Sequence, residues 1–325
     1  MLRRLVVVGL AWVCLGVPAA ARAATVSIFY YPWYGTPARD GTWEHWDQNS
    51  HLPPGNLYSR FYPAQGPYSS SDAQVVGTQM AEIRAAGIDE IVVSWWGRGS
   101  GEDERLPLVV SAARAHGLLV GIHVEPYPGR SPQSVAADLQ YLAIYGVRDV
   151  YIYHPRDFAA SDWVAVNASA PATMRLFAGT MFAGFAAAGH FAGVYTYDFV
   201  TYGPGAFLRF CQEAHAMHLV CAPSVGPGYD GRRAGEPPVG RPRLHGTTYD
   251  MLWSAALAAS PDVVSITSFN EWGEGTQIEP AAVRVGYASY EGAWGLHGTP
   301  AQMAYLQRTS YWTAKAHGIA LTAKH

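Results

Sequence analysis

The sequence has few charged residues and, apart from its N-terminal region, no long apolar run. Only 14% of its 325 residues are Asp, Glu, Lys or Arg, and the formal net charge is −3. A nearly neutral chain without basic clusters gives no reason to expect nucleic acid as a partner, and no later stretch is apolar enough to cross a bilayer. The composition therefore predicts neither a nucleic-acid-binding protein nor one with a stable membrane anchor.

The motifs of several enzyme classes are also missing. There is no Gly-x-Ser-x-Gly elbow of a serine hydrolase, and the glycine-rich residues 97–101 do not match the dinucleotide-binding pattern. No His-Glu-x-x-His or Pro-Cys-x-x-Cys element is present for a catalytic metal. His123 and Glu125 alternate along one predicted strand, as metal ligands often do, so metal binding is the main rival chemistry. We expect neither a metal nor an organic cofactor.

The first 23 residues have the composition of a signal peptide. Two arginines near the start precede the apolar stretch Leu5–Val17, which is shorter than the ~20 residues that a membrane span needs. Ala21–Ala23 (Ala-Arg-Ala) matches a cleavage site. We therefore expect residues 1–23 to be removed and residues 24–325 to form a single domain that is secreted or periplasmic.

The sequence contains only three cysteines. Cys14 lies in the predicted signal peptide, which leaves Cys211 and Cys221. An oxidising compartment permits a disulfide between these two, but two buried thiols are an equally good interpretation.

Aromatic residues, by contrast, are plentiful. The chain has 11 Trp and 20 Tyr, and 49% of its residues are hydrophobic, which is enough apolar material for one large core. Several aromatic residues cluster with Gly and Pro, as in Tyr30–Gly35, where flat rings suit the apolar faces of sugars. The aromatic content is consistent with a carbohydrate-binding site as well as with a core.

Short β-branched or aromatic runs alternate with Ala-rich helical stretches along the chain. Eight strands are predicted, at Val26–Pro32, Glu90–Trp96, Leu118–Glu125, Asp149–His154, Met174–Gly179, Gly193–Phe199, Leu219–Ser224 and Val263–Asn270. Helices are predicted at Asp72–Ala86, Arg105–His116, Pro132–Tyr145, Phe207–His218, Thr247–Ala259 and Gln302–Ala316. The helices after the fourth and fifth strands are only weakly indicated.

Eight strands that alternate with helices predict an α/β fold, a parallel sheet closed into a (β/α)8 TIM barrel. A doubly wound open sheet is the alternative. Asp72 and Ser131 are candidate helix N-caps. The segment Thr36–Ser71 is rich in Gly, Pro, Asn and Ser and is predicted to be a long loop, and loops of this length often bind ligands or act as lids.

The carboxyl ends of the strands are where a barrel of this type carries its chemistry. A strand-end residue is more often a packing residue, but here many polar and aromatic side chains collect at that end. The candidates are Tyr31, Trp33, His45, Trp96, Glu125, Tyr195, Tyr197, Asn270, Glu271, Trp272 and Glu274. Their shared position predicts one site.

Glu271 and Glu274 are the most specific feature of this set. A glycosidase needs one protonated carboxyl as general acid and one ionised carboxylate at the anomeric centre. Glu-x-x-Glu is common on charged helices, but here the neighbours are Phe269, Trp272 and two glycines after a strand with a buried pattern. Two catalytic carboxylates are therefore predicted.

Five blocks of the chain carry a resemblance to a known family. They are Phe29–Gly35 (Phe-Tyr-Tyr-Pro-Trp-Tyr-Gly), Val93–Trp96, His123–Tyr127, Tyr195–Asp198 and Phe269–Pro280. In order and content these blocks resemble glycoside hydrolase family 99, the endo-α-1,2-mannosidases and endo-α-1,2-mannanases. The first and last blocks contribute most to this resemblance.

The resemblance implies a (β/α)8 barrel that cleaves α-mannosidic linkages internally with retention of configuration. It implies that Glu271 deprotonates the substrate 2-hydroxyl to give a 1,2-anhydro sugar, and that Glu274 protonates the leaving oxygen and later activates water. The candidate substrate-binding residues are Tyr31, Trp33, His45, Trp96, Glu125, Tyr195, Tyr197, Asn270 and Trp272. The expected partner is an α-linked oligo- or polysaccharide such as a mannan or an N-glycan, bound by a monomer.

One position departs from the family pattern. Members typically have Glu-Trp-His-Glu-Gly, whereas this chain has Gly273 in the place of the His. Both carboxylates remain, so hydrolysis is expected, but without the imidazole the preferred sugar is not determined. The alternatives are the same mechanism on another α-linked polysaccharide or surface glycan, and a catalytically inactive carbohydrate-binding barrel.

Overall fold

The structure is a computed structural model that describes residues 23–235 and 240–319. The predicted signal peptide, apart from its last residue, lies outside the described residues. The strands are β1 Thr25–Tyr30, β2 Glu90–Trp95, β3 Leu119–Val124, β4 Asp149–Ile152, β5 Arg175–Gly179, β6 Gly193–Tyr195, β7 Val220–Ala222, β8 Ser224–Val225 and β9 Val263–Ile266. The helices are α1 Pro37–Asp40, α2 Ala73–Ala85, α3 Gly101–Ala115, α4 Pro132–Leu142, α5 Ala160–Ser169, α6 Ala183–Ala188, α7 Pro204–Ala216, α8 Thr247–Ala258, α9 Thr299–Gln302 and α10 Ala304–Ala316.

The parallel strands form a barrel that is closed by its seventh strand. Neighbouring segments follow the order β7-β6-β5-β4-β3-β2-β1-β9-β8, and β7 and β8 are two parts of one strand separated by Pro223. Proline has no N–H to donate, but the carbonyls of Pro223 and Val225 accept hydrogen bonds from the backbone of Ser265 and Thr267 at 3.1 and 2.8 Å. The (β/α)8 prediction is confirmed, with the predicted strand Leu219–Ser224 broken at the proline.

Alternate residues of the strands face two different cores, as the period of two requires. In β1, Val26 and Ile28 pack in the layer between strands and helices, whereas Phe29 lies inside the barrel with Tyr151 and Phe177. The rings of Tyr151 and Phe177 stack with their centroids 4.8 Å apart. Because aromatic side chains fill the interior, ligand binding is directed to the loops above the carboxyl ends of the strands.

The helices agree with the predicted ones, with shifts at their ends. Asp72 caps α2 by accepting a hydrogen bond from the backbone of Gln74, and Ser131 caps α4. Helix α3 begins four residues earlier than predicted because Ser100 accepts a hydrogen bond from the backbone of Asp103 and so acts as its N-cap. In the part of the chain that is described, no helix combines the length and the apolar character that a membrane span requires.

Two of the predicted strands extend four residues past the observed ends of the sheet. The sixth was predicted to reach Phe199 and the eighth to reach Asn270, but β6 and β9 end at Tyr195 and Ile266. Beyond these ends side chains join the hydrogen bonding, as where the Thr267 hydroxyl donates to the Tyr197 carbonyl at 3.0 Å. The residues released from the sheet form the walls of the site.

Cys211 and Cys221 form a disulfide. Cys211 lies in α7 and Cys221 in β7, and their Cα atoms are 5.2 Å apart. Of the two interpretations that the sequence left open, the disulfide is therefore the one found.

Candidate active site

A chain of hydrogen bonds connects three strand ends above the barrel. The Tyr31 hydroxyl donates to the Tyr197 hydroxyl at 2.7 Å, and the Tyr197 hydroxyl donates to Glu274 Oε2 at 3.0 Å. Burial, followed by the charge of nearby glutamates, raises the pKa of Tyr31 and of Tyr197. Both phenols therefore stay protonated, and together they hold one oxygen of Glu274 in place.

The Glu271 carboxylate is held by the turn that follows it. Its Oε1 accepts hydrogen bonds from the backbone N–H of Gly273 at 2.8 Å and of Glu274 at 3.3 Å. Its own N–H donates to the Ser268 hydroxyl at 2.9 Å. The turn therefore fixes the carboxylate relative to Glu274 through backbone groups, which change little in position when side chains move.

The proximity of the two glutamates affects their protonation. Burial first, and then the charge of Glu274, raises the pKa of Glu271 well above its usual value, although the two backbone N–H groups oppose this shift. Two neighbouring carboxyls in a buried site resist being ionised together, so the pair tends to keep one proton. One proton on two carboxyls is the state that an acid–base pair needs.

Glu125 belongs to a second buried cluster on the neighbouring strands. Its Oε1 accepts a hydrogen bond from the Ser94 hydroxyl at 2.9 Å and lies 2.9 Å from His123 Nδ1. The other ring nitrogen of His123 lies 2.9 Å from the Tyr195 hydroxyl. His123 and Glu125 thus face the same way, as their alternation predicted. Within residues 23–235 and 240–319, no group of three or more His, Cys, Asp or Glu is arranged to hold a metal.

Trp33 and His45 form a stacked pair at the edge of the site. Their rings are 4.4 Å apart with an interplanar angle of 7°, and Gln48 Nε2 lies 3.0 Å from His45 Nδ1. Burial, assisted by the positive charge of Arg105, lowers the pKa of His45 to about 4. The imidazole is therefore neutral near pH 7 and contributes a flat surface rather than a charge.

Not every predicted binding residue reaches open space. Tyr195, Asn270 and Trp272 are fully buried, so their side chains support the site from beneath. Asn270 pairs its amide with the backbone of Tyr31, accepting from the N–H at 2.8 Å and donating to the carbonyl at 3.0 Å. Trp96 directly follows the end of β2 and is 36% exposed.

Two cavities border Glu274. One, of about 230 Å³, also has Glu271 and Gly273 in its wall. The other, of about 310 Å³, extends past Tyr197 in the opposite part of the loop layer. The remaining lining residues of the first cavity are Trp33, Tyr34, His45, Gln48, Tyr58 and Ala234. Glu274 therefore stands where the two cavities adjoin.

Some residues of the site had no signal in the sequence. Tyr58 and Gln48 line the first cavity, yet each is an isolated residue of the long loop. Tyr153 lines the second cavity and lies beside His154 at a predicted strand end, which was the one available signal. Glu279 lies in the last resemblance block, but its contacts with Tyr68 and Gln79 beneath the site span 211 and 200 residues of sequence.

Known proteins resemble this chain in sequence and in fold. The sequence profile of glycosyl hydrolase family 99 matches residues 22–161 and 176–317. The human glycoprotein endo-alpha-1,2-mannosidase-like protein is 32% identical over 78% of this chain and 68% of its own length, and the zebrafish (Danio rerio) protein of that name is 31% identical over 79% and 71%. A solved endo-alpha-mannosidase of this family from Bacteroides thetaiotaomicron superposes with a TM-score of 0.80 at 28% identity, over 90% of this chain and 98% of that one.

Proposed function

Because the chain belongs to glycosyl hydrolase family 99 and is thus a glycoside hydrolase, we propose that it is an endo-acting α-mannosidase that retains configuration. The observation that carries the proposal is the pair Glu271 and Glu274, held on one turn and both bordering the same cavity. The endo-alpha-1,2-mannosidase-like relatives support mannose as the sugar and α-1,2 as the linkage.

In the first proposed step, the substrate supplies its own nucleophile. Glu271 takes the proton of the 2-hydroxyl, O2 forms a bond to the anomeric carbon, and the bond from that carbon to the leaving oxygen breaks. Glu274 gives its proton to the leaving oxygen. The backbone N–H groups of Gly273 and Glu274 support this role because their hydrogen bonds to Glu271 Oε1 favour the ionised carboxylate that a base requires.

In the second step, water opens the 1,2-anhydro sugar. Glu274, now ionised, takes a proton from water while the water oxygen bonds to the anomeric carbon and the bond from that carbon to O2 breaks. Glu271 returns its proton to O2. Each step inverts the anomeric carbon, so the product keeps the original configuration and both carboxyls regain their starting states. The hydrogen bonds from Tyr31 to Tyr197 and from Tyr197 to Glu274 support both the protonated and the ionised form of Glu274, because Oε2 accepts a hydrogen bond in each.

Endo-action requires sugars to bind on both sides of the cleaved bond. The two cavities that adjoin at Glu274 support this property, since a glycan crossing the site would place one sugar in each. Aromatic side chains border both cavities, Trp33 in one and Tyr153 in the other, and suit the apolar faces of sugars. A mannan or the mannose branch of an N-glycan has the required length.

A second candidate substrate is another α-linked polysaccharide or surface glycan. The wall between the two glutamates favours it, because Gly273 carries no side chain and Tyr58 borders the cavity there. The mechanism would be unchanged on a sugar whose free 2-hydroxyl is trans to the leaving oxygen, because O2 must attack the anomeric carbon from the face opposite that oxygen.

We also propose that the enzyme acts outside the cytoplasm. The apolar N-terminal segment has the length and cleavage pattern of a secretion signal. The Cys211–Cys221 disulfide supports this location, because disulfides persist mainly in oxidising compartments.

The test is product analysis on α-1,2-linked mannan oligosaccharides of defined length and on other α-glycans. We expect internal cleavage, seen as products longer than one sugar, with the α-anomer formed first in the proton NMR spectrum. A matched substrate that lacks the 2-hydroxyl on the reacting sugar should be cleaved about 10²–10⁴-fold more slowly, the typical contribution of general base catalysis.

Three kinds of result would each contradict a different part of the proposal. Release of single sugars from the chain end would exclude endo-action. Normal turnover of the 2-deoxy substrate, or a sugar covalently trapped on Glu271 and seen by mass spectrometry, would exclude the anhydro intermediate. Binding of glycans without turnover of any of them would leave a carbohydrate-binding barrel.

A further inference from the structure

Gly273 is a glycine for reasons of space rather than of backbone conformation. Its φ lies outside the left-handed region, unlike that of Gly275 at 66°, so the turn itself tolerates a side chain at this position. A Cβ added to Gly273 would lie 2.3 Å from Cε1 and 3.1 Å from Cζ of Tyr58, and 3.0 Å from Glu271 Oε1. The ring of Tyr58 therefore occupies the space that a side chain between the two glutamates would need.

The backbone at Tyr58 is well anchored although it belongs to a long irregular loop. The Tyr58 N–H donates to the carbonyl of the buried Trp46 at 2.9 Å. Its neighbours Leu57 and Ser59 are both fully buried, and the Leu57 N–H donates to the Tyr287 hydroxyl at 2.7 Å. The ring itself is half-buried and lines the cavity that contains Glu271 and Glu274. A fixed backbone thus presents one aromatic ring to the reacting part of the cavity.

We propose that Tyr58 contacts the sugar that binds beside Glu271 and determines which sugar this part of the cavity accepts. The proposal rests on the proposed glycosidase function. A tyrosine ring offers an apolar face of fixed orientation with one hydroxyl at its edge. Such a wall discriminates between sugars that differ in a single hydroxyl or its direction. Tyr58 and Gly273 then form a matched pair, in which the ring supplies the contact and the glycine leaves the room for it.

The first experiment measures specificity. Tyr58→Ala and Tyr58→Phe are compared with wild type on a parent α-mannoside and on analogues that lack one hydroxyl (at C3, C4 or C6) of the reacting sugar. We expect Tyr58→Ala to change the ratio of kcat/KM between the parent and at least one analogue by roughly tenfold. The other ratios should change less. Tyr58→Phe separates the contribution of the hydroxyl from that of the ring.

The matched control is Tyr62→Phe in the same loop. The Tyr62 hydroxyl donates to the Pro54 carbonyl at 3.2 Å, and Tyr62 is absent from the cavity wall. This variant removes the same atom from the same segment and should leave all the ratios unchanged. Far-ultraviolet circular dichroism and thermal melting of each variant check that the barrel is folded.

The second experiment tests the matched pair. In the wild-type background, Gly273→Ala forces the new Cβ against the Tyr58 ring and should lower kcat/KM by roughly tenfold or more, as overpacking of a well-packed site does. In the Tyr58→Ala background the same change should cost less, because only the closer approach to Glu271 Oε1 remains. A difference between the two factors measures the coupling of the residues.

The outcomes separate this proposal from the function on which it rests. If wild type cleaves an α-glycan but the ratios stay unchanged in both Tyr58 variants, Tyr58 does not select the sugar. Equal costs of Gly273→Ala in the two backgrounds would show that the residues are independent and would also overturn the proposal. If wild type binds glycans and cleaves none, the glycosidase function itself is wrong.

Discussion

Glu271 and Glu279 lie eight residues apart on the segment after β9, yet they serve different parts of the protein. Both are buried, and burial is the main cause that raises the pKa of each. Glu271 is held by backbone N–H groups and borders a cavity that it shares with Glu274. Glu279 accepts hydrogen bonds from Tyr68, Gln79 and Trp272, at 2.7, 2.8 and 2.9 Å, and borders neither of the two cavities at Glu274.

The difference indicates that burial and a raised pKa do not by themselves identify a candidate catalytic carboxylate. Glu279 connects α2, the long loop and the Trp272 ring beneath the site, and Gln79 extends this network to the Tyr30 hydroxyl at 2.6 Å. Its contacts fix the elements that carry the active turn. What distinguishes Glu271 is the open cavity that it borders together with Glu274.

The largest expected effect comes from exchanging each carboxylate for its amide. Glu271→Gln and Glu274→Gln should each lower kcat by about 10²–10⁴-fold, because each removes an acid or base that acts on the substrate. Glu279→Gln should keep kcat within about tenfold of wild type, since Glu279 contacts only protein groups among the described residues. Steady-state kinetics on an α-1,2-linked mannan oligosaccharide of defined length measures all three. An inactive but folded Glu279→Gln variant would contradict the comparison.

The next effect is on stability and its dependence on pH. The pKa of Glu279 is raised from 4.5 to about 8 in the folded protein. Between these values the unfolded chain ionises this group while the folded protein keeps it protonated, so the contribution of Glu279 to stability falls as pH rises and stays constant above pH 8. The slope is at most about 1.4 kcal/mol per pH unit for one proton.

Urea unfolding from pH 5 to pH 8 measures this contribution. The unfolding free energy of wild type should decrease relative to that of Glu279→Gln over this range, since the amide does not titrate. Parallel pH profiles for the two proteins would show that Glu279 is ionised in the fold.

The smallest expected effect concerns the hydroxyl that holds Glu274. Tyr197→Phe removes the donor to Glu274 Oε2 and should lower kcat by roughly tenfold, the value of one hydrogen bond to a charged group. Tyr249→Phe is the matched control, because it removes another buried phenol, bonded to Thr309 and remote from the glutamates. Equal kcat values for the two variants would show that the Tyr31–Tyr197 chain does not contribute to catalysis.

Much of the fold and part of the site were predictable from local patterns. The eight strand positions followed from alternating composition, and the helix start at Asp72 followed from a single capping side chain. Glu271 and Glu274 were identified because three residues on one turn suffice to bring them together. Tyr58 and Gly273 show the limit of such reasoning, because they are 215 positions apart and only the fold shows that the ring lies where a side chain at 273 would be.

The sequence by itself determined the barrel, the pair of carboxyls and the family, since these depend on periodicity, short spacing and blocks of neighbouring residues. The tertiary structure decided which glutamate of the last segment faces a cavity and which is enclosed by Tyr68, Gln79 and Trp272. It also decided that Tyr197 supports Glu274 and that Cys211 bonds to Cys221. These contacts depend on the distances between segments that meet only when the barrel closes, and no local pattern contains those distances.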